Sequence, residues 1–155
     1  MRGKVISFIE IIRKVFNRAS KDKKDFDGWN RLKKKLDNNK KDMSIKAGEI
    51  WWCSIGVNID CEQNGKNQNY DRPVLIFRKL AKNKFYGIPL TTKKPRFDNY
   101  TYKFNYSNKP SYALLDQMRV FSINRLEERK SAGIDRKTYA IIKEKLGVIL
   151  GYVRK

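Results

Sequence analysis

The sequence predicts an α+β protein that is mainly β, a small antiparallel barrel or meander with helices at both ends. Two observations support this prediction. Apolar residues recur at helical spacing before residue 45 and again after Asp135. Between these segments, short runs of β-branched and aromatic residues are bounded by Gly, Asn, Asp and Pro, which is typical of short strands joined by turns.

The N-terminal helices form a predicted hairpin. Residues 5–16 carry apolar side chains three and four positions apart, which indicates a basic amphipathic helix; packing on its own protein is favoured over binding a membrane or a partner helix. Residues 25–36 repeat the spacing, with Asp25 or Asp27 as the helix N-cap.

Five strands and a closing helix are predicted after Gly48. The strands cover residues 50–55, 74–77, 85–90, 100–106 and 113–121. In the fourth strand, aromatic residues occupy every second position and therefore share one face. The closing helix is capped by Asp135, and its apolar positions are Tyr139, Ile142, Leu146, Ile149 and Val153.

Length and charge limit the possible functions. A chain of 155 residues forms one modest core, so we expect one main domain at 46–155 and an N-terminal helical extension at 1–45. The 36 Lys and Arg against 16 Asp and Glu give a net charge of +20, which favours a polyanionic partner. RNA, DNA, an anionic membrane surface and an acidic protein all qualify, and a solubilising lysine surface is the alternative.

The absence of histidine excludes several kinds of chemistry. Histidine-based metal sites and serine–histidine or cysteine–histidine nucleophiles are not available to this chain. Its two cysteines, Cys53 and Cys61, fit neither a zinc motif nor a disulfide framework. We therefore expect the reducing cytoplasm as the compartment, and we expect no cofactor.

No apolar run approaches the roughly eighteen residues of a membrane helix, so the sequence predicts no membrane span. The first nine residues begin like a signal peptide, but Glu10 interrupts the apolar stretch and no small-residue cleavage site follows. We expect this segment to be retained.

Three short strings occur in one order within seventy residues, and each places a polar group beside a predicted strand. They are Glu62-Gln63 ahead of Arg72-Pro73-Val74-Leu75, then Pro89-Leu90-Thr91-Thr92, then Leu115-Asp116-Gln117-Met118-Arg119. Preceded by Gly48-Glu49-Ile50-Trp51, the series resembles the MazF/PemK family of toxin endoribonucleases from Lys46 to the C-terminus.

The resemblance implies a fold and an activity. The fold is a small SH3-like barrel, shared with CcdB-like toxins that poison a topoisomerase. The activity is metal-independent cleavage of single-stranded RNA at a short sequence, which leaves a 2′,3′-cyclic phosphate and a 5′-hydroxyl. The family also implies a homodimer with RNA across its interface and inhibition by an acidic antitoxin.

Carried over by position, the resemblance implies catalytic roles for three residues. Glu62 would accept the 2′-hydroxyl proton, Arg72 would bind the scissile phosphate, and Thr91 would donate a hydrogen bond to a phosphate oxygen. Asp116 is the second candidate base, although PemK-like members have arginine where this chain has Leu114. The residue that acts as general acid is not assigned, because arginine is a poor proton donor.

Further residues near the strings are candidates for binding RNA. The loop at 58–71 is longer than in compact family members, and its polar composition with one aromatic suits unpaired bases as well as it suits a plain surface loop. The RNA-binding candidates are Gln63, Lys66, Tyr70, Thr92, Lys93, Gln117 and Arg119.

The tandem tryptophans follow from strand geometry, and two functions other than a nuclease fit the same sequence. Trp51 and Trp52 should lie on opposite faces of a strand, which leaves one of them exposed. A catalytically silent barrel that binds nucleic acid or a protein is the rival to the nuclease. Membrane-surface attachment through residues 1–20 is the weaker third hypothesis.

Overall fold

The computed structural model describes residues 24–96, 99–131 and 133–152. Two helices and seven strands make up this part of the chain. They are α1 (Phe26–Asn38), β1 (Ile50–Ser54), β2 (Asp71–Ala81), β3 (Lys84–Thr91), β4 (Thr101–Tyr106), β5 (Lys109–Leu114), β6 (Arg119–Ser122), β7 (Leu126–Ser131) and α2 (Arg136–Ile149).

All of the strand pairs are antiparallel and form one sheet. The order is β4-β5-β3-β2-β1-β7, and β6 pairs with the first half of β3. The two end strands, β4 and β7, do not pair with each other in the described residues. The mainly antiparallel β fold with a C-terminal helix is confirmed. The sheet is not closed in the described residues, so the SH3-like barrel stays a prediction.

Two hydrophobic clusters lie on opposite faces of this sheet. Neighbouring residues of β2 alternate between them, because successive side chains of a strand point to opposite sides: Val74 and Ile76 belong to one cluster and Leu75 to the other. Helix α2 covers the second cluster with Ile142 and Leu146, both buried.

The string Gly48-Glu49-Ile50-Trp51 forms the corner that leads into β1. Gly48 has a φ of +88°, a conformation that glycine adopts without strain. The carboxylate of Glu49 accepts hydrogen bonds from the Lys46 amide at 3.0 Å, the Trp51 indole at 3.0 Å and the Arg129 guanidinium at 3.1 Å. Burial alone would raise the pKa of Glu49, but these three donors hold it below its ordinary value.

Helix α1 packs against the loop after β1 and against the short 3₁₀ turn at Ile123–Arg125. Asp25 is its N-cap and accepts from the amide of Gly28 at 2.8 Å. Trp29 is buried, and a Cβ on Gly56 would lie 2.3 Å from its ring. The guanidinium of Arg125 lies 5.1 Å from the centre of the same ring. The helix predicted over 25–36 is therefore present and docked.

Two strand predictions differ from the structure. The apolar run at 113–121 was predicted as one strand, but a short 3₁₀ turn at Leu115–Gln117 divides it into the end of β5 and the start of β6. Strand β7 was not predicted, because its sequence Leu-Glu-Glu-Arg-Lys-Ser has neither alternation nor aromatic residues.

Two predicted features lie outside the described residues: the helix at 5–16 and the end of the closing helix at Val153. In the part of the chain that the structure describes, no helix combines the length and the apolarity needed to cross a membrane.

Candidate nucleic-acid interface

A cavity of about 280 Å³, here called the Arg72 cavity, opens between the ends of β2 and β3. Its lining includes Trp52, Lys66, Arg72, Thr91, Thr92 and Lys130. Four of these residues, Lys66, Arg72, Thr91 and Thr92, were predicted from the sequence strings. The structure brings these four together around one opening.

Arg72 is held by two backbone carbonyl oxygens. Its Nε donates to Asn64 at 2.9 Å, and its Nη1 donates to Leu90 at 3.3 Å. The residue is only 8% exposed, and burial lowers the pKa of its guanidinium. Arginine nevertheless stays charged in proteins. Within the described residues Arg72 forms no ion pair, so this cavity contains a largely buried cation without a carboxylate partner.

Thr91 is the last residue of β3 and lies beside Arg72. Both residues line the Arg72 cavity, and Arg72 Nη1 donates to the carbonyl of Leu90, the residue before Thr91. The Thr91 hydroxyl oxygen accepts from the Lys93 amide at 3.2 Å, and its proton is left to donate to a ligand. Lys93 itself is exposed and makes this contact through its backbone.

Trp52 and Lys130 form a second wall of the Arg72 cavity. The Lys130 ammonium lies 4.7 Å from the centre of the Trp52 ring, a cation–π contact. Trp51 instead packs against the first hydrophobic cluster, so the prediction of opposite faces for the two tryptophans is confirmed. Neither ring is exposed as expected, because both are half-buried. The lining of the Arg72 cavity carries three positive side chains, Lys66, Arg72 and Lys130, and one carboxylate, Asp71.

A second cavity of about 380 Å³, here called the Tyr100 pocket, contains three other predicted residues: Gln63, Asp116 and Gln117. The backbone N–H of Gln63 donates to Gln117 Oε1 at 3.0 Å, and the side-chain Nε2 of Gln117 donates to the Asp116 carboxylate at 3.4 Å. Leu114 is buried and also lines this pocket. The structure thus assembles seven of the predicted residues into two groups instead of one.

The carbonyl oxygen of Asn64 joins the two groups. It accepts from Arg72 Nε at 2.9 Å and from Gln63 Nε2 at 3.2 Å. One backbone position therefore fixes both the arginine of the first cavity and the glutamine of the second.

Glu62 and Arg119 line neither cavity. Glu62 is exposed, and its carboxylate accepts from the Ile59 amide at 3.2 Å within its own turn. Arg119 donates to the Ile55 carbonyl at 2.7 Å and to Asn58 at 3.2 Å. Burial lowers the pKa of Arg119, and the charge of Arg125 adds to this effect. These contacts give Arg119 a structural role in holding the loop after β1.

Tyr70 is also engaged within the protein. Its hydroxyl donates to Asp25 at 2.5 Å. The ring centres of Tyr70 and Trp29 are 5.8 Å apart, in an edge-to-face arrangement. Tyr100 is half-exposed at the rim of the Tyr100 pocket.

Sequence reasoning missed the part that Lys130 and Trp52 play in the Arg72 cavity. Lys130 carries no local signal, because it belongs to the charged strand β7 that was not predicted. For Trp52 a signal existed, because alternation in β1 places either Trp51 or Trp52 away from the core. Cys53 is fully buried, and burial raises the pKa of its thiol to about 12, which keeps it un-ionised at neutral pH.

No group of three or more Cys, Asp or Glu side chains in the described ranges is arranged to hold a metal ion.

The fold and the basic cavity define a class of small β proteins with a site suited to anions. Residues 46–150 match the family described as PemK-like, MazF-like toxin of type II toxin-antitoxin system. This match spans more than half of the chain, so the protein belongs to this family.

Several solved structures share this fold. MazF (Form-I) from Deinococcus radiodurans is 21% identical, covers 71% of this chain and 99% of its own, and has a TM-score of 0.58. An endoribonuclease in complex with its cognate antitoxin from Mycobacterial species is 17% identical, with coverage of 72% and 100% and a TM-score of 0.56. The Mycobacterium tuberculosis toxin MazF-mt6 is 15% identical, with coverage of 66% and 96% and a TM-score of 0.50. A comparison with curated proteins gave no match.

Proposed function

We propose that this protein is a toxin endoribonuclease that cleaves single-stranded RNA without a metal ion. The observation that carries the proposal is Arg72, a largely buried cation whose described partners are two neutral carbonyls. A buried charge is costly unless an opposite charge is supplied. A phosphodiester entering the Arg72 cavity supplies that charge.

In the proposed mechanism, the guanidinium and the Thr91 hydroxyl bind the scissile phosphate. The 2′-oxygen attacks phosphorus, its proton passes to a carboxylate, and the bond from phosphorus to the 5′-oxygen breaks as that oxygen takes up a proton. The products are a 2′,3′-cyclic phosphate and a 5′-hydroxyl. Arg72 stabilises the charge that develops on the phosphorane, because its donors are already fixed.

Glu62 is the proposed base. It precedes Gln63, whose side chain donates to the same Asn64 carbonyl as Arg72 Nε. Its carboxylate accepts from the Ile59 amide outside the Arg72 cavity, so this role requires the turn at 59–62 to rearrange when RNA binds, as catalytic contacts often tighten only with substrate. Asp116, the alternative base, lines the Tyr100 pocket.

Cleavage of a long single-stranded RNA in EDTA tests this proposal, with the cut sites mapped by primer extension. We expect discrete cuts that Arg72→Ala abolishes and that Glu62→Gln reduces by at least about 100-fold. The matched control is Arg78→Ala, since Arg78 is an exposed arginine on the same strand. Absence of cuts at every protein concentration would overturn the nuclease.

We further propose a homodimer with RNA across its interface and an acidic antitoxin as inhibitor. The net charge of +20 supports an acidic partner by charge complementarity. Three of the similar structures are described as complexes with an antitoxin or with MazE. Light scattering of the purified chain measures its mass, and a monomer at micromolar concentration would contradict the dimer.

One observation favours a second candidate, the catalytically silent binding module. Neither Glu62 nor Asp116 lines the Arg72 cavity, so the cavity could hold a phosphate without cutting beside it. The same RNA experiment separates the two functions, because a silent module binds RNA through Arg72 and leaves it intact.

A further inference from the structure

We propose that Asn58 is a positioning residue for the reaction at the Arg72 cavity. It fixes the main chain at Gln63 and Asn64, and this segment in turn sets the direction of the Arg72 guanidinium. The inference rests on the proposed nuclease function and deepens it. Asn58 lies in the loop between β1 and β2, does not line the Arg72 cavity, and belongs to none of the three strings.

The side chain of Asn58 uses both ends of its amide within the protein. Its Nδ2 donates to the Gln63 carbonyl at 2.7 Å and, over a longer 3.4 Å, to the Ile55 carbonyl. Its Oδ1 accepts from Arg119 Nη1 at 3.2 Å. Because a side-chain amide donates through nitrogen and accepts through oxygen, these partners require an amide and not a carboxylate.

The main chain of Asn58 adds a second contact to the same segment. Its N–H donates to Asn64 Oδ1 at 2.6 Å, so Asn58 contacts Gln63 through one group and Asn64 through another. Its carbonyl accepts from Lys24 Nζ at 2.8 Å. The residue is half-buried, and water compensates only partly for a partner that is lost in such a place.

The next peptide along the chain carries the acceptor for Arg72. Its Gly65 N–H donates to the Gly56 carbonyl at 2.8 Å. Its carbonyl, that of Asn64, accepts from Arg72 Nε at 2.9 Å. The orientation of this peptide depends on the one before it, which Asn58 holds through the contacts described above.

Arg72 depends on the position of the Asn64 carbonyl. The bond from Arg72 Nη1 to the Leu90 carbonyl is longer, at 3.3 Å, so the 2.9 Å bond to Asn64 is the better formed of the two. A guanidinium that stabilises a developing charge acts through fixed geometry, and a misplacement of about 1 Å can cost about 100-fold in rate. Asn58 therefore acts on the reaction through Arg72 and not through contact with RNA.

Asn58→Asp separates this role from a general role in the fold. Aspartate has the shape of asparagine and keeps an acceptor oxygen for Arg119, but it replaces the Nδ2 donor by a second oxygen. The contact with the Gln63 carbonyl then becomes repulsive. The matched control is Asn30→Asp, since Asn30 is an exposed residue of α1 and the change in net charge is the same.

Heteronuclear NMR of the Arg72 side chain gives a readout that does not need cleavage. The Nε–H group is assigned by through-bond correlation to its own backbone, and its rate of exchange with solvent is measured in each variant. We expect Asn58→Asp to accelerate this exchange by about tenfold, the factor that corresponds to about one lost hydrogen bond. Asn30→Asp should leave the rate unchanged.

The amide of Ile76 serves as the internal reference in these samples. It donates to the Glu49 carbonyl at 2.8 Å from a fully buried position in β2, so it reports on the stability of the sheet. Its exchange should not change in Asn58→Asp. Equal acceleration of the Ile76 amide and the Arg72 group would reduce Asn58 to a structural role and overturn the proposal, as would an unchanged Arg72 rate.

Cleavage kinetics measure the consequence for the reaction. Relative to Asn30→Asp, we expect Asn58→Asp to lower the single-turnover rate by at least about tenfold. The dissociation constant for 2′-O-methyl RNA, which lacks the attacking hydroxyl, should change by less than about threefold, because geometry and not RNA contact is lost.

The outcomes distinguish this inference from the nuclease. Faster Arg72 exchange with an unchanged cleavage rate overturns the role of Asn58 and leaves the nuclease standing. If the natural chain cuts no RNA, the nuclease is overturned, and the Arg72 exchange rate still decides whether Asn58 fixes the guanidinium.

Discussion

The hydroxyl of Tyr70 donates a 2.5 Å hydrogen bond to the carboxylate of Asp25, the N-cap of α1. This bond connects the helical extension to the loop that precedes β2. The Tyr70 carbonyl in turn accepts from the Gly56 amide at 3.0 Å, and Asn64 of the same loop holds Arg72. The extension therefore supports the loop from which the Arg72 cavity is built.

Replacing Tyr70 by phenylalanine should loosen α1 from this loop. The variant keeps the ring against Trp29 but removes the hydrogen bond to Asp25, so hydrogen–deuterium exchange in α1 should accelerate. Tyr152→Phe is the control, because this tyrosine is 85% exposed at the end of the described chain. Equal exchange in both variants would show that the bond does not hold the helix.

Gly28→Ala should destabilise the protein although alanine favours helices. A Cβ on Gly28 would lie 2.1 Å from both Asp25 Oδ2 and Tyr70 Oη, so the hydrogen bond between them must open. In an unconstrained helix the same change stabilises by up to about 1 kcal/mol. Urea unfolding of Gly28→Ala and of the double variant with Tyr70→Phe measures the effect; a more stable single variant would contradict the packing.

Thr91→Val should reduce RNA cleavage by about tenfold or more while the sheet is retained. Valine preserves the β-branched shape that β3 uses opposite Tyr112, but it lacks the hydroxyl that would donate to phosphate. Thr91→Ser, which keeps the hydroxyl, should cut nearly as fast as the natural chain. Single-turnover rates for the two variants test the role of the hydroxyl, and equal rates would remove Thr91 from the site.

Lys130→Gln should weaken RNA binding and make it less sensitive to salt. If Lys130 neutralises one phosphate beside Trp52, its loss lowers the slope of log affinity against log salt by about 0.7. Lys34→Gln, an exposed residue of α1, makes the same change in net charge away from the cavity. Fluorescence anisotropy at several salt concentrations gives both slopes, which should differ.

Glu49→Gln should lower the free energy of unfolding by about 1–3 kcal/mol at neutral pH. The folded-state pKa of Glu49 is below its ordinary value, so the ionised form contributes stability above about pH 4.3. That contribution is lost as pH falls through the lower folded-state pKa. Denaturant titrations at pH 7 and pH 3, beside the exposed Glu128→Gln, should show a difference that shrinks in acid.

Sequence patterns predicted the parts of the fold that depend on local alternation. Four of the five predicted strands correspond to β1, β2, β3 and β4. Arg72 and Thr91, named from two different strings, line the same cavity. The position of Glu62 could not be predicted, because it depends on hydrogen bonds within a long loop. Likewise, Lys130 reaches the cavity only through the pairing of β7 with β1, which no local signal encodes.

The packing of Trp29 on Gly56 connects α1 to the region that the family shares. The family match begins at residue 46, yet Trp29 fills a space that only a glycine at position 56 leaves open. Arg125, also within the matched region, stacks its guanidinium on the same ring. We expect a chain trimmed to residues 46–150 to unfold less cooperatively, because it lacks Trp29. The segment that folds as one unit would then begin before the segment that the family shares.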